Sequence, residues 1–154
     1  MELWNLRMDA YTVALTLLSA RELSEAQLRT RLRRRKLEEP DIDAAVARLK
    51  ADRTLNDRRV AVAIARMESS IKHRGRARVI QKIRQAGIDS ETADDAVREV
   101  FQEVDEGELL DHAFDRKLRG KSVRELDEKG RARIVRALVG QGFAFDAVMK
   151  RLRK

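Results

Sequence analysis

The sequence predicts an all-α protein: three tandem three-helix repeats forming an elongated, curved array. Three observations carry that prediction. The composition favours helix, with one proline and seven glycines in 154 residues and abundant Ala, Leu, Arg and Glu. The apolar positions repeat: a shift of 51 residues lays Leu28, Leu32, Leu37, Ile42, Val46 and Leu49 on Val79, Ile83, Ile88, Ala93, Val97 and Val100. A further shift of 55 lays Val79, Ile83 and Ile88 on Ile134, Leu138 and Phe143. A period of this size marks one supersecondary unit copied along the chain, each copy burying part of its face against the next. Third, the apolar residues fall at helical spacing between recognisable start and stop signals. The predicted units are 1–53, 54–104 and 105–154.

In the first unit, Tyr11 to Ser19 is apolar enough for a helix buried on most sides. Ser24 and Gln27 form a capping box ahead of Leu28 and Leu32. Pro40 opens a third helix with Asp41 and Asp43 in its first turn, complementing the dipole, and Ile42, Val46 and Leu49 form its inner face. In the second unit, Asn56 or Asp57 caps a long helix carrying Val60, Ile64, Met67 and Ile71, which Gly75 breaks. The next helix carries Val79 and Ile83 and stops at Gly87. Asp89-Ser90-Glu91 opens the third, through Ala93, Val97, Val100 and Phe101. The third unit starts near Asp105, with Leu109, Leu110, Ala113, Phe114 and Leu118 inward. A loop near Gly120 follows, over Val123 and Leu126. Gly75-Arg76-Ala77-Arg78 recurs as Gly130-Arg131-Ala132-Arg133, and a last helix spans about Asp146 to Leu152. Trp4 and Tyr11 are expected to close off the first unit.

Charged residues make up 39% of the chain, the net charge is +8 and the pI is near 10.3, which favours an acidic partner, nucleic acid first. There is no cysteine, so neither a disulfide framework nor a thiolate metal site is available. Residues 1–7 do not read as a signal peptide, and the uncharged run Ala10 to Ala20 is too short to span a bilayer. The expectation is a cytoplasmic protein with no membrane partner, monomeric because nothing in the sequence requires a dimer.

No catalytic constellation assembles, so the chain is expected not to be an enzyme and to need no cofactor or metal. Gly120-Lys121-Ser122 resembles the end of a phosphate-binding loop, but Asp115 stands where that motif needs glycine, and the stretch follows a helix rather than a strand. His73 and His112 lie in different units, and the acids near His112 do not supply three strong ligands on one face. Phe101, Phe114 and Phe143 sit at core spacing, whereas Phe145 is spare. The basic residues are patterned instead. The second helix of each unit is cationic, and on a wheel of about 100° per residue Arg29, Arg33 and Lys36 share one exposed flank. Arg76, Lys82 and Arg84 occupy a similar position in the second unit, and Arg131, Arg133 and Arg136 in the third. These nine residues are the candidate nucleic-acid- or filament-binding set.

An ordered set of residues resembles the RecX family, bacterial modulators of the RecA recombinase. Leu55-Asn56-Asp57 followed by Val60-Ala61 is similar to the family's signature between repeats. Ala14-Leu15, Leu18, Arg21, Ser24, Leu28 and Leu32 resemble its opening repeat. Gly75, Arg78, Ile80, Ile83, Gly87 and Ile88 resemble its middle, and Ala113, Lys117, Arg133, Leu138, Gly142 and Phe143 its closing repeat. The resemblance implies tandem three-helix repeats that bind RecA–DNA filaments and inhibit RecA's ATPase, strand-exchange and co-protease activities in recombination and the SOS response. Single- or double-stranded DNA is then a further partner. The competing readings are a helix-turn-helix DNA-binding protein such as a transcriptional regulator, and a protein–protein scaffold with merely solvated basic faces.

Overall fold

The computed structural model describes residues 9–154, and the expectation for Trp4 lies outside them. Their regular elements are helical: α1 (Ala10–Ala20), α2 (Glu25–Arg34), α3 (Glu39–Ala51), α4 (Asp57–Arg66), α5 (Arg76–Gln85), α6 (Ser90–Glu103), α7 (Glu106–Leu118), α8 (Glu128–Gly140) and α9 (Phe145–Leu152). A π-helical turn at Met67–Ile71 extends α4, and a 3-10 turn at Val123–Glu125 separates α7 from α8. α1 packs chiefly on α3, and α4 on α6, with the second helix of each group leaning on both. In the last group α8 contacts both α7 and α9.

Side chains at four of the predicted starts satisfy orphan amides of the helix N-termini, whereas α3, α5 and α9 have no side-chain cap. Ser24 and Gln27 close the capping box of α2 in both directions, at 3.1 and 3.0 Å. Asn56, rather than Asp57, caps α4, its Oδ1 accepting from Arg59 N at 3.0 Å. Asp89 caps α6 through Thr92 N, and Asp105 caps α7. Tyr11 packs on the first core, donates its hydroxyl to Asp52 Oδ2 and lies under the Arg48 guanidinium at 3.7 Å.

How each second helix ends explains the strongest part of the repeat. Lys36, Gly87 and Gly142 occupy the same place, just past α2, α5 and α8, and all three are left-handed, with φ of 61°, 79° and 99°. The next residue then folds back. Leu37 N donates to Leu32 O, and Phe143 N to Leu138 O, the long-range bond of a Schellman stop. Such a stop favours an apolar residue at that next position, and Leu37, Ile88 and Phe143 supply it. Phe143 and Ile88 are buried, and Leu37 packs against the first core.

Two expectations are corrected. Met67 and Ile71 are 47% and 65% exposed, while Glu68 and Ser69 are buried. The π turn, with Lys72 N bonded to Met67 O at 3.1 Å, inserts one extra residue and rotates the inward face off the 3.6 period. Gly75 and Gly130 share a sequence context but not a structural one. Gly75 is the N-cap of α5, whereas α8 begins earlier, at an Asp127 cap, and carries Gly130 in its first turn.

The apolar core divides unevenly. Val13, Ala14, Leu23, Leu28, Leu32, Ile42, Val46, Leu49 and Leu55 form one cluster within the first helical group. A second cluster runs without interruption from Val60 on α4 to Leu152 on α9. The seam between the first and second groups is polar: Ser24 Oγ donates to Ala86 O, Glu25 N to Asp57 Oδ1 at 2.8 Å, and Arg59 pairs with Glu22 at 2.7 Å. At the seam between the second and third groups, Gly75 N donates to Gln141 O at 2.8 Å.

Candidate nucleic-acid interface

The nine cations singled out from the sequence fall into distinct electrostatic settings. On α2, the exposed flank expected for Arg29, Arg33 and Lys36 is only partly free. Arg29 is 22% exposed and bonds Asp43 at 2.6 Å and Glu25 at 3.3 Å. Arg33 Nε reaches Glu39 at 2.5 Å. The hydrogen bond that Arg29 donates to Asp43 leads the causes that raise the Arg29 pKa, and the one that Arg33 donates to Glu39 raises Arg33's. The acidic N-terminal half of α3 therefore does more than complement a dipole: Glu39 and Asp43 pair with two of the three cations on the basic flank of α2. Lys36, in its left-handed turn, is exposed and has no carboxylate within ion-pair distance among the described residues.

On α5, Arg76 bonds Glu106 at 2.8 Å and lies over the Phe101 ring at 5.0 Å, tying α5 to the α6–α7 connection. Lys82 is half-buried and Arg84 exposed, and neither is paired with a carboxylate of the described residues. On α8, Arg131, Arg133 and Arg136 are all exposed and equally unpaired. Of the predicted set, the α8 trio, Lys36 and Arg84 thus present their full charge, whereas Arg29, Arg33 and Arg76 are engaged in holding helices together. Phe145, spare in the repeat, is 56% exposed at the start of α9.

A denser group of cations lies where the repeat argument does not look. Lys72 and Arg74, between the π turn and α5, come together with Arg116, Lys117 and Arg119 at the end of α7. These residues are spread over two helical groups and follow no common spacing. The basic run Lys72 to Arg78 was the one available signal, and its partner segment on α7 carries acids as well.

Among the described residues no group of three or more His, Asp or Glu side chains is placed to hold a metal ion. No described helix is long and apolar enough to cross a membrane.

Comparison with known proteins agrees with the helical pattern. Residues 10–49 match the family model described as the first three-helix domain of RecX, and residues 56–97 match the second. The Regulatory protein RecX of Syntrophotalea carbinolica is 30% identical over 138 residues, which cover 90% of each chain. The chain belongs to the RecX family. The Regulatory protein RecX of Trichlorobacter lovleyi is 28% identical over 149 residues, or 95% of each chain. The crystal structure of RecX from Lactobacillus salivarius superposes with a TM-score of 0.78 at 21% identity over 94% of both chains, and shares the fold. In RecX terms, the two matched domains are α1–α3 and α4–α6, and α7–α9 follow as a third helical group.

Proposed function

We propose that this protein is a non-enzymatic regulator that lies along RecA–DNA filaments and restrains the ATPase, strand-exchange and co-protease activities of RecA. The observation that carries this reading is the extent of the RecX match, two family domains in order and relatives aligned over nine-tenths of their length. Its physical support is a tandem helical array with a strong cationic excess. Units 1–53, 54–104 and 105–154 would each meet a successive stretch of a helical partner. The unpaired cations of α8, with Lys36, Lys82 and Arg84, would face acidic protein surface or phosphate. In this reading the protein acts as a cytoplasmic monomer and uses no cofactor.

The test is RecA's DNA-dependent ATPase with this protein added at substoichiometric amounts. Inhibition that scales with filament length rather than with free RecA supports the proposal. No effect at any ratio sinks it, and tight sequence-dependent binding to duplex DNA without RecA would move the protein to the helix-turn-helix reading.

A further inference from the structure

A cleft of about 310 Å³ opens at the seam between the second and third helical groups. Five of its eight lining residues are cationic (Lys72, Arg74, Arg116, Lys117 and Arg119), and none is a carboxylate. Lys72 is shared with buried Glu68, at 3.1 Å; the other four have no carboxylate within ion-pair distance among the described residues. Bringing four unpaired cations together at one seam is costly unless an anion joins them.

Three further observations concern residues of the same lining. His73 lines it, and its Nδ1 is buried without a hydrogen-bond partner. A buried polar nitrogen without a partner is unfavourable, and a ligand oxygen would satisfy it. His73 and Arg119 are both left-handed, with φ of 54° and 51°, a conformation that costs a side-chain-bearing residue about 1 kcal/mol. Gln141, also in the lining, accepts the Gly75 N–H at 2.8 Å, so the two helical groups are tied together beside the cleft.

The geometry points to a binding site for a phosphodiester group of a nucleic-acid backbone. Arg74, Arg116 and Arg119 supply forked donors, Lys72 and Lys117 supply point charges, and His73 completes the donor set. A polymer is favoured over a free phosphate because exposed, unpaired cations also lie outside the cleft, at Arg84, Arg131, Arg133 and Arg136. The inference takes nucleic acid as a partner from the proposed function, but its chemistry does not depend on RecA.

The site also predicts a response to pH. His73 is held below the ordinary histidine range, first by burial and then by His112 and Arg116. Its ring stacks on that of His112 at 4.4 Å with 4° between planes. The groups facing it are Lys72 and Arg74 from its own segment, His112, Arg116, Lys117 and Arg119 from α7 and its end, and neutral Gln141 just past α8. A bound phosphodiester would offset those cations and raise the His73 pKa. Binding therefore takes up a proton and tightens as pH falls.

The experiment measures binding of a fluorescein-labelled oligothymidylate across a salt series, with the two histidine ring signals followed by NMR. Changing Arg74, Arg116 and Arg119 together to Gln is expected to weaken binding at least about tenfold at low salt and to lower the log–log salt slope by about 2. The same charge removed at Arg21, Arg34 and Arg66, exposed and without carboxylate partners among the described residues, is the control, and circular dichroism checks that both variants fold. Equal losses in the two triples would overturn the site, leaving only net charge. Saturation of the His73 signal by inorganic phosphate that the oligonucleotide does not displace would overturn the polymer assignment. The RecA ATPase assay reads separately: a site that holds while ATPase is untouched removes the filament reading alone, and the converse removes the site alone.

Discussion

Gly75 and Gly142 lie backbone against backbone at the seam between the second and third helical groups, so close that neither has room for a methyl group. A Cβ on Gly75 would fall 2.4 Å from Gly142 C, and one on Gly142 would fall 2.4 Å from Arg78 N. Gly142 also needs its φ of 99°. The first seam is built in the same way, with Gly87 against Ala26, whose Cβ a new methyl would meet at 2.5 Å. The turn that ends one repeat's second helix thus docks on the start of the previous repeat's second helix. Lys36 is the counterpart of Gly87 and Gly142 in the first repeat and is exposed among the described residues.

Gly142→Ala and Gly75→Ala should each cost more than about 2 kcal/mol, and Gly140→Ala, with open space around it, should be neutral or slightly stabilising. Lys36→Gly should gain up to about 1 kcal/mol by relieving a left-handed residue. Urea unfolding of the four variants checks the ordering. A Gly142→Ala variant as stable as the parent would refute the close approach.

Ser24 performs two functions with one hydroxyl. It caps α2 and donates across the first seam to Ala86 O, where Gly75 uses its backbone N–H at the second. Ser24→Ala should therefore cost about 2–4 kcal/mol, more than the loss of an ordinary cap, because it also strands a carbonyl at a buried seam. Ser24→Thr should recover part of the loss. If Ser24→Ala costs no more than a simple cap, the hydrogen bond across the seam contributes nothing.

What the sequence made legible is what has a period. Leu28, Val79 and Ile134 mark equivalent buried positions because helices bury every third or fourth residue, and Leu37, Ile88 and Phe143 mark the stop because a Schellman turn needs an apolar residue there. The π turn at Met67–Ile71 was illegible because the residues on either side keep a 3.6 spacing, and only tertiary packing selects the extra residue. Charge pairing was also hidden: Arg29 lies 14 positions from Asp43, and the distance between them depends on how α3 folds back on α2. The cleft at Lys72–Arg74 joins segments over 40 positions apart that share no repeat register.

The π turn makes its own prediction. Met67→Gln and Ile71→Gln should each change stability by less than about 0.5 kcal/mol, since both side chains already face water. Ile83→Ala, at a fully buried position of the same core, should cost about 2–5 kcal/mol. Chemical denaturation distinguishes the two outcomes. A large loss at Ile71 would restore the unbroken α-helix expected from the spacing.

Asp57 ties stability to pH at the first seam. Burial is the largest influence on its carboxyl and pushes its pKa up, against the hydrogen bond from Glu25 N, which lowers it. A carboxyl whose folded pKa is raised holds its proton more tightly when folded, so its contribution falls as pH rises from the ordinary carboxylate range through the raised value. Asp57→Asn keeps an oxygen for the Glu25 N–H and removes the charge. The melting temperature of the variant relative to the parent should thus be higher at pH 7 than at pH 4, and an offset independent of pH would sink this account.

The proposed binding surface separates two sets of arginines that look alike in sequence. Arg131, Arg133 and Arg136 are exposed without carboxylate partners among the described residues, whereas Arg29 and Arg33 already hold Asp43 and Glu39. A phosphate that recruits the α8 trio displaces only water and counterions, but one that recruits Arg29 must also break an existing pair. Replacing the α8 trio with Gln should lower the log–log salt slope for oligonucleotide binding by about 2, and replacing Arg29 and Arg33 should lower it by less than 1. The second pair should instead loosen α2 from α3, visible as a lower melting temperature. Equal slopes for the two sets would mean that pairing within the fold does not govern which arginines reach the polyanion.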